Sequence, residues 1–155
     1  MLLGKRITDQ LQNVPFRQGG EIQAVEGNLR LEIKLTDWDR LGCLLKRICI
    51  ARSQGDPLAL DPARIEDRIT YLGERLEIIE SEGIGGRSIL RSAPPRIDGE
   101  VISFFEMVLD QAKGLSLMRY QYDRRQGERT PVPASLTRDV LERLVSDLIG
   151  LIEEN

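Results

Sequence analysis

The run Glu100–Asp110 has no polar face. Val101, Phe105, Met107 and Leu109 fall on one side of an extended chain, and Ile102, Phe104 and Val108 on the other. A strand that is apolar on both faces has to lie inside a sheet and be covered above and below, which commits the chain to a sheet-based domain. Further strands are legible around it. Leu29, Leu31, Ile33 and Leu35 alternate cleanly, and with Glu21–Val25 they form a hairpin around Glu26-Gly27-Asn28. After Glu100–Asp110, Gln111-Ala112-Lys113-Gly114 turns the chain into Leu115–Arg124, with Met118, Tyr120 and Tyr122 on one face. Arg125–Glu128 turns again, and Thr130–Ser135 is extended. Pro131 and Pro133 lack the N–H a ladder needs, which places that segment at an edge.

Helices are expected in three regions. Leu3, Ile7, Leu11 and Val14 recur at helical spacing up to Pro15, before a break at Gln18-Gly19-Gly20. Thr36-Asp37-Trp38-Asp39 reads as a capped helix start, followed by Trp38, Leu41, Leu45 and Ile48 as one buried stripe to about Ala51. Ser53–Leu60 is a loop, and Asp61-Pro62 starts another helix with proline in its favoured first position. Ile65, Ile69, Leu72, Leu76 and Ile79 would suit one long helix. The preferred reading breaks at Gly73 and makes Arg75–Ser81 a strand, because the short β-like run Ser88–Ser92 needs a neighbour across the Glu82–Arg87 loop. The last helix is capped by Thr137 and stapled by Leu136 and Leu141. Its apolar face is Val140, Leu141, Leu144, Val145, Leu148, Leu151 and Ile152. The expected architecture is one α+β domain over residues 1–155: an antiparallel meander of five to seven strands packed with N-terminal, middle and C-terminal helices.

The chain has 155 residues and no histidine. That removes the Ser-His-Asp and Cys-His nucleophile systems, imidazole metal sites and the usual base near neutral pH. Cys43 and Cys49, placed on the expected 36–51 helix, would point about 240° apart at 100° per residue, so they are no ligand pair and read as small buried thiols of a reducing cytoplasm. No apolar stretch follows Met1-Leu2-Leu3 as in a secretion signal, and no run is long enough to span a membrane. The net charge is −3 with both signs interspersed; residues 56–82 hold eight acidic and three basic side chains. That mixture suits a solvated surface better than a nucleic-acid stripe. Arginine outnumbers lysine 18 to 4, a bias that serves bidentate anion recognition or merely reflects base composition.

Four constellations bear on chemistry. Gly83-Ile84-Gly85-Gly86-Arg87 lacks the following helix and the Gly-Lys-Ser/Thr of a phosphate cradle, so it reads as a hairpin loop rather than an anion nest. Arg119, Arg124, Arg125 and Arg129 cluster with Tyr120 and Tyr122, and Arg91 on the neighbouring strand could extend them into an anion- or partner-binding patch. Strand alternation puts Arg119 on the face opposite Tyr120 and Tyr122. Glu106 is the one acid inside an apolar run, and the favoured reading pairs it with Arg119 or Arg91. Asp37 and Asp39 suit capping better than metal binding. No catalytic, cofactor or metal residue is expected.

Glu100–Leu109, Leu115-Ser116-Leu117-Met118-Arg119-Tyr120, and Leu136-Thr137 with the closing helix through Leu148 resemble an uncharacterised cyanobacterial protein family. The arrangement of an antiparallel meander between helices also resembles the secretion-chaperone-like α+β fold. That resemblance implies a small cytoplasmic dimer that binds other polypeptides. Members place a helix inside the strand series, and none is legible between Arg87 and Ser135. The functional expectation is a non-enzymatic, cytoplasmic protein-binding or chaperone-like module with an unidentified protein partner, a homodimer, without membrane or cofactor. The alternative is a binder of a small anionic ligand or nucleic acid through the meander's arginines, with nucleic acid the less favoured.

Overall fold

The computed structural model describes residues 4–6, 9, 20–82 and 85–153. Ten strands form one antiparallel sheet. They are β1 (Gly20–Glu26), β2 (Leu29–Trp38), β3 (Gly42–Arg52), β4 (Leu76–Ser81), β5 (Arg87–Ser92), β6 (Arg96–Asp98), β7 (Val101–Asp110), β8 (Gly114–Asp123), β9 (Glu128–Val132) and β10 (Ala134–Thr137). Helix α1 (Pro62–Arg68) follows β3, and helix α2 (Arg138–Glu153) closes the described chain. The α+β class is as expected, but the sheet has more than five to seven strands.

Two meanders, β1-β2-β3 and β4-β5-β7-β8, join through β3 and β8 in the order β1-β2-β3-β8-β7-β5-β4. The direct β3–β8 pairing covers only Ile48–Ile50 against Leu115–Leu117. Beyond it the two strands part. β9 pairs with the far half of β8, and β10 with the near half of β3. Pro131 and Pro133 fall in this inserted segment, where β9 has β8 as its one partner, in keeping with the edge role expected of them. At the start of β8, Gly114 sits at φ +115°, and a Cβ there would lie 2.4 Å from the Ile50 carbonyl oxygen. Only glycine allows the backbones this close.

The Thr36–Ala51 helix is not formed; those residues belong to β2, a turn and β3. The cause is a pair of bulges. Lys34 pairs with Arg47 and Leu35 with Leu45, so Lys46 is extra on β3, and Leu35/Asp37 against Leu45/Leu44 leaves Thr36 extra on β2. An extra residue changes the core-facing step from two to three. Leu35 and Trp38, and Leu45 and Ile48, are therefore all buried. Those threes, with the chance placement of Leu41, imitated helical spacing. Leu41 lies in the turn and is 82% exposed. Asp39 does cap, but it caps that turn, its carboxylate accepting the Leu41 and Gly42 N–H groups. Cys43 and Cys49 accordingly lie on a strand, on opposite faces because of the bulge: Cys43 is in the core, while Cys49 pairs with Ser116 on the other face.

Most other elements lie where the sequence places them. The first hairpin turns at Gly27-Asn28, with Gly27 at φ +59°. Asp61 caps α1 by accepting the Ala63 N–H, with Pro62 in the first turn. α1 stops at Arg68, with Ile69 at its C-terminal cap, short of the expected break at Gly73, and Leu76–Ser81 is a strand paired with β5. Thr137 Oγ1 accepts the Val140 N–H at the start of α2. The expected 3–14 helix lies largely outside the described residues. Of it, residues 4–6 and 9 are helical, and a Cβ on Gly4 would meet the Glu142 carbonyl of α2.

One hydrophobic core lies between the sheet and the helices. Leu31, Ile33, Ile48, Ile50, Leu90, Met107, Leu109 and Leu117 from the sheet meet Ile65, Leu141, Leu144, Leu148 and Ile152 from the helices. The 53–60 loop folds under the same side. Leu58 and Leu60 are fully buried, and the buried Gln111 exchanges side-chain hydrogen bonds with both the N–H and the carbonyl of Leu60. Tyr71 donates to Asp147 at 2.6 Å, tying the segment after α1 to α2. The described helices thus cover one face only. The opposite, outer face holds Phe104, Glu106 and Val108, and its cover is made by side chains.

Candidate binding face

The outer face follows from strand alternation. Registers set Arg91 beside Glu106, Glu106 beside Met118, and Phe104 beside Tyr120, while Tyr122 pairs with Ile102 on one side and Arg129 on the other. At its centre the Glu106 side chain is only 6% exposed. Arg91 Nε donates to Glu106 Oε2 at 2.8 Å. Arg129 donates through both terminal nitrogens, at 2.9 Å to Oε2 and 2.7 Å to Oε1. Burial pushes the Glu106 carboxyl up, but the hydrogen bonds and charges of Arg129 and Arg91 outweigh it and hold the group below the usual carboxylate range. The bond to Glu106 in turn raises Arg129. The guanidiniums also roof the aromatics. Arg129 lies 3.6 Å from the Tyr120 ring centroid and 5.8 Å from that of Phe104, and Arg91 lies 5.4 Å from Phe104.

Of the expected patch, the structure gathers Arg91, Arg129 and Tyr120 around Glu106, with Tyr122 on the same face. Arg119 is on the opposite face, as alternation requires, and does not pair with Glu106. It makes a bidentate pair with Glu74 at 3.2 and 2.9 Å and stacks over Phe105 at 4.7 Å. A cleft of about 630 Å³ opens beside it, between Gly73, Pro94 and Pro133, but that guanidinium is already engaged by Glu74. Arg124 and Arg125 sit in the exposed β8–β9 turn, Arg125 near Asp123 at 3.8 Å, away from the cluster. The glycine-rich segment closes the β4–β5 hairpin. Gly83 and Ile84 are outside the described residues, and the Glu82 carboxylate, not an anion-binding helix end, faces the Arg87 N–H.

The sequence reading missed a second basic group on the same face. A groove of about 450 Å³ runs between β3, β8, β7 and β5, lined by Arg47, Arg87 and Lys113 with a single acid, Asp110. Arg47 was hidden by the helix reading of 36–51. Arg87 was recoverable, since the alternation that faces Ile89 and Arg91 outward also faces Arg87 outward.

Neither thiol offers a nucleophile at neutral pH: burial pushes Cys43 up to about 11 and raises Cys49 as well. Among the described residues there is no group of three potential metal ligands, and no helix is long and apolar enough to cross a membrane. No family model matches the chain, and neither does any curated protein or solved structure.

Proposed function

We propose that this chain is a non-enzymatic, cytoplasmic, chaperone-like module that binds other polypeptides on the outer face of its sheet and pairs with a second copy of itself. The observation that carries the reading is that face. Ile89, Ile102, Val108, Met118 and Tyr122 lie half-buried on it, and no described helix covers them. Partly buried aliphatic side chains in rows along strands suit an extended chain laid on them. The departure from the secretion-chaperone-like fold remains, since no helix falls between Arg87 and Ser135; α1 lies earlier, between β3 and β4. Small anionic ligands and nucleic acid are less well served. Glu106 neutralises part of the arginine charge, and Arg129 occupies the Tyr120 ring face on which a base would stack.

The test is suppression of aggregation of a chemically unfolded client protein, followed by light scattering. The wild-type chain suppresses it, and Met118→Glu, with unchanged circular dichroism, does not. No suppression at molar excess, or equal suppression by the variant, refutes polypeptide binding. Size exclusion with static light scattering reads the second part: a dimer mass is expected, and a monomer at tens of micromolar protein refutes the pairing.

A further inference from the structure

We infer that a second copy of the chain adds to the free edge of β1, the two β1 strands running antiparallel about a twofold axis at Gln23 and joining two sheets into one. This rests on the self-pairing part of the function proposed above and names the surface that makes it. The sheet ends at β1 on one side and at β4 on the other. The β4 edge is closed. Ile79 is an extra residue there, since Ile78 pairs with Leu90 and Glu80 with Ile89, and Glu66 of α1 accepts the outward Ile78 N–H at 2.8 Å. A bulge, and a carboxylate over an edge N–H, both keep a further strand from adding. The remaining free edges among the described strands are short or interrupted: β6 has three residues, β10 four, and β9 carries Pro131.

β1 has none of these defences. Its seven residues keep an unbroken register with β2, from Gly20 opposite Leu35 to Glu26 opposite Leu29, and include no proline or lysine. The neighbouring ladder fixes which backbone groups it offers. The Asn28 carbonyl accepts the Ser53 N–H, so Asn28, and by alternation Arg30, Glu32 and Lys34, turn their backbone groups toward β3. Leu29, Leu31, Ile33 and Leu35 then turn theirs toward β1, to Glu26, Ala24, Ile22 and Gly20. Glu21, Gln23 and Val25 are left with N–H and carbonyl along the free edge. In a pairing centred on Gln23, Gln23 meets Gln23 of the second copy, and Glu21 of each copy meets Val25 of the other. Every outward N–H and carbonyl of the three residues is then matched, and no carboxylate stands opposite another. Any other antiparallel register leaves one of the three without a partner on β1. Val25, 62% exposed, is covered. Opposite residues of an antiparallel pair project to the same side, so the two outer faces run on into one another.

Light scattering after size exclusion, with cross-linking of the full chain, decides it. Gln23→Pro removes an N–H that β2 does not use, so the monomer keeps its ladder while the dimer loses its central hydrogen bonds. Wild type should run as a dimer at tens of micromolar protein. Gln23→Pro should keep its circular dichroism and run as a monomer, its dissociation constant raised at least about tenfold by the lost bonds. Gln23→Cys supplies a readout that does not depend on the proline being tolerated. Opposite residues of a hydrogen-bonded antiparallel pair have Cα atoms about 5.5 Å apart, within disulfide reach. Mild oxidation should link Gln23→Cys into a covalent dimer, and leave wild type and Arg30→Cys, exposed one strand further in, unlinked. A Gln23→Pro dimer as tight as wild type, or Arg30→Cys linking as readily as Gln23→Cys, overturns the β1 pairing and leaves the self-pairing reading standing. A wild-type monomer ends both. If that monomer suppresses client aggregation and Gln23→Pro does not, the edge takes a client strand rather than a second copy.

Discussion

Replacing Glu106 by glutamine tests the centre of the outer face most directly. The carboxylate accepts three charged hydrogen bonds from two arginines and is nearly sealed from water. Hydrogen bonds to charged groups contribute about 1.5–3 kcal/mol each when fully buried. Here the donors keep over a third of their side-chain surface in solvent and regain water when the charge is lost, and glutamine still accepts one bond. The net loss for Glu106→Gln should therefore be about 2 kcal/mol, well below the sum of its bonds. For a domain of this size, that lowers Tm by about 4–8 °C. The pH dependence follows from the sign of the shift. The folded-state pKa of Glu106 lies below its ordinary value, so its stabilisation is present in full above about pH 5 and is lost as pH falls through the folded value. Urea unfolding of wild type and variant, read by the single tryptophan, should show a gap at pH 7 that narrows toward pH 3. A gap below about 0.5 kcal/mol at pH 7, or one that persists unchanged under acid, refutes the assignment of Glu106 as a charged counter-ion.

Leu144 is fully buried in the helix–sheet core, and Leu144→Ala should cost about 2–5 kcal/mol in urea unfolding; a loss below about 1 kcal/mol refutes the packing described for α2. Both thiols should react with a maleimide far more slowly in the native protein than in urea at pH 8, because burial raises Cys43 to about 11 and Cys49 in the same direction; a native thiol as fast as free cysteine contradicts that burial.

The sheet was legible wherever alternation ran unbroken. Leu29–Leu35 and Val101–Leu109 keep period two because each faces the core from an unbulged ladder, and their pairings match the reading. Alternation also separated Arg119 from Tyr120 before any contact was known. It failed at Thr36–Ala51, where two bulges change the step to three, and a step of three among leucines cannot be told from a helix by periodicity alone. The same bulges hid Arg47. Glu106 was legible as an acid needing a counter-ion, but Arg119 was the wrong candidate: the β7–β8 register sets it beside Phe105, on the face opposite Glu106, and alternation along β8 had already put it opposite Tyr120. Arg129 could not be assigned, because its place depends on where β9 inserts, and nothing local in Glu128–Val132 says how far β3 and β8 remain paired.

That insertion is what makes a carboxylate tolerable in the middle of the sheet. β8 parts from β3 after Leu117, and β9 takes the vacated place with Arg129 directly beside Tyr122. The guanidinium then reaches across the Tyr120 ring to the carboxylate of β7 from one side, while Arg91 on β5 reaches it from the other. With Arg91 alone, Glu106 would be a nearly buried acid with a single partner. A well-packed aliphatic residue at 106 would often match such an ion cluster in stability. It would not hold two guanidiniums upright above Phe104 and Tyr120. The arrangement therefore favours the surface over the core: Glu106 fixes two arginines in place at the expense of one of their two charges and leaves the other facing outward, next to the aliphatic rows on which a polypeptide would lie.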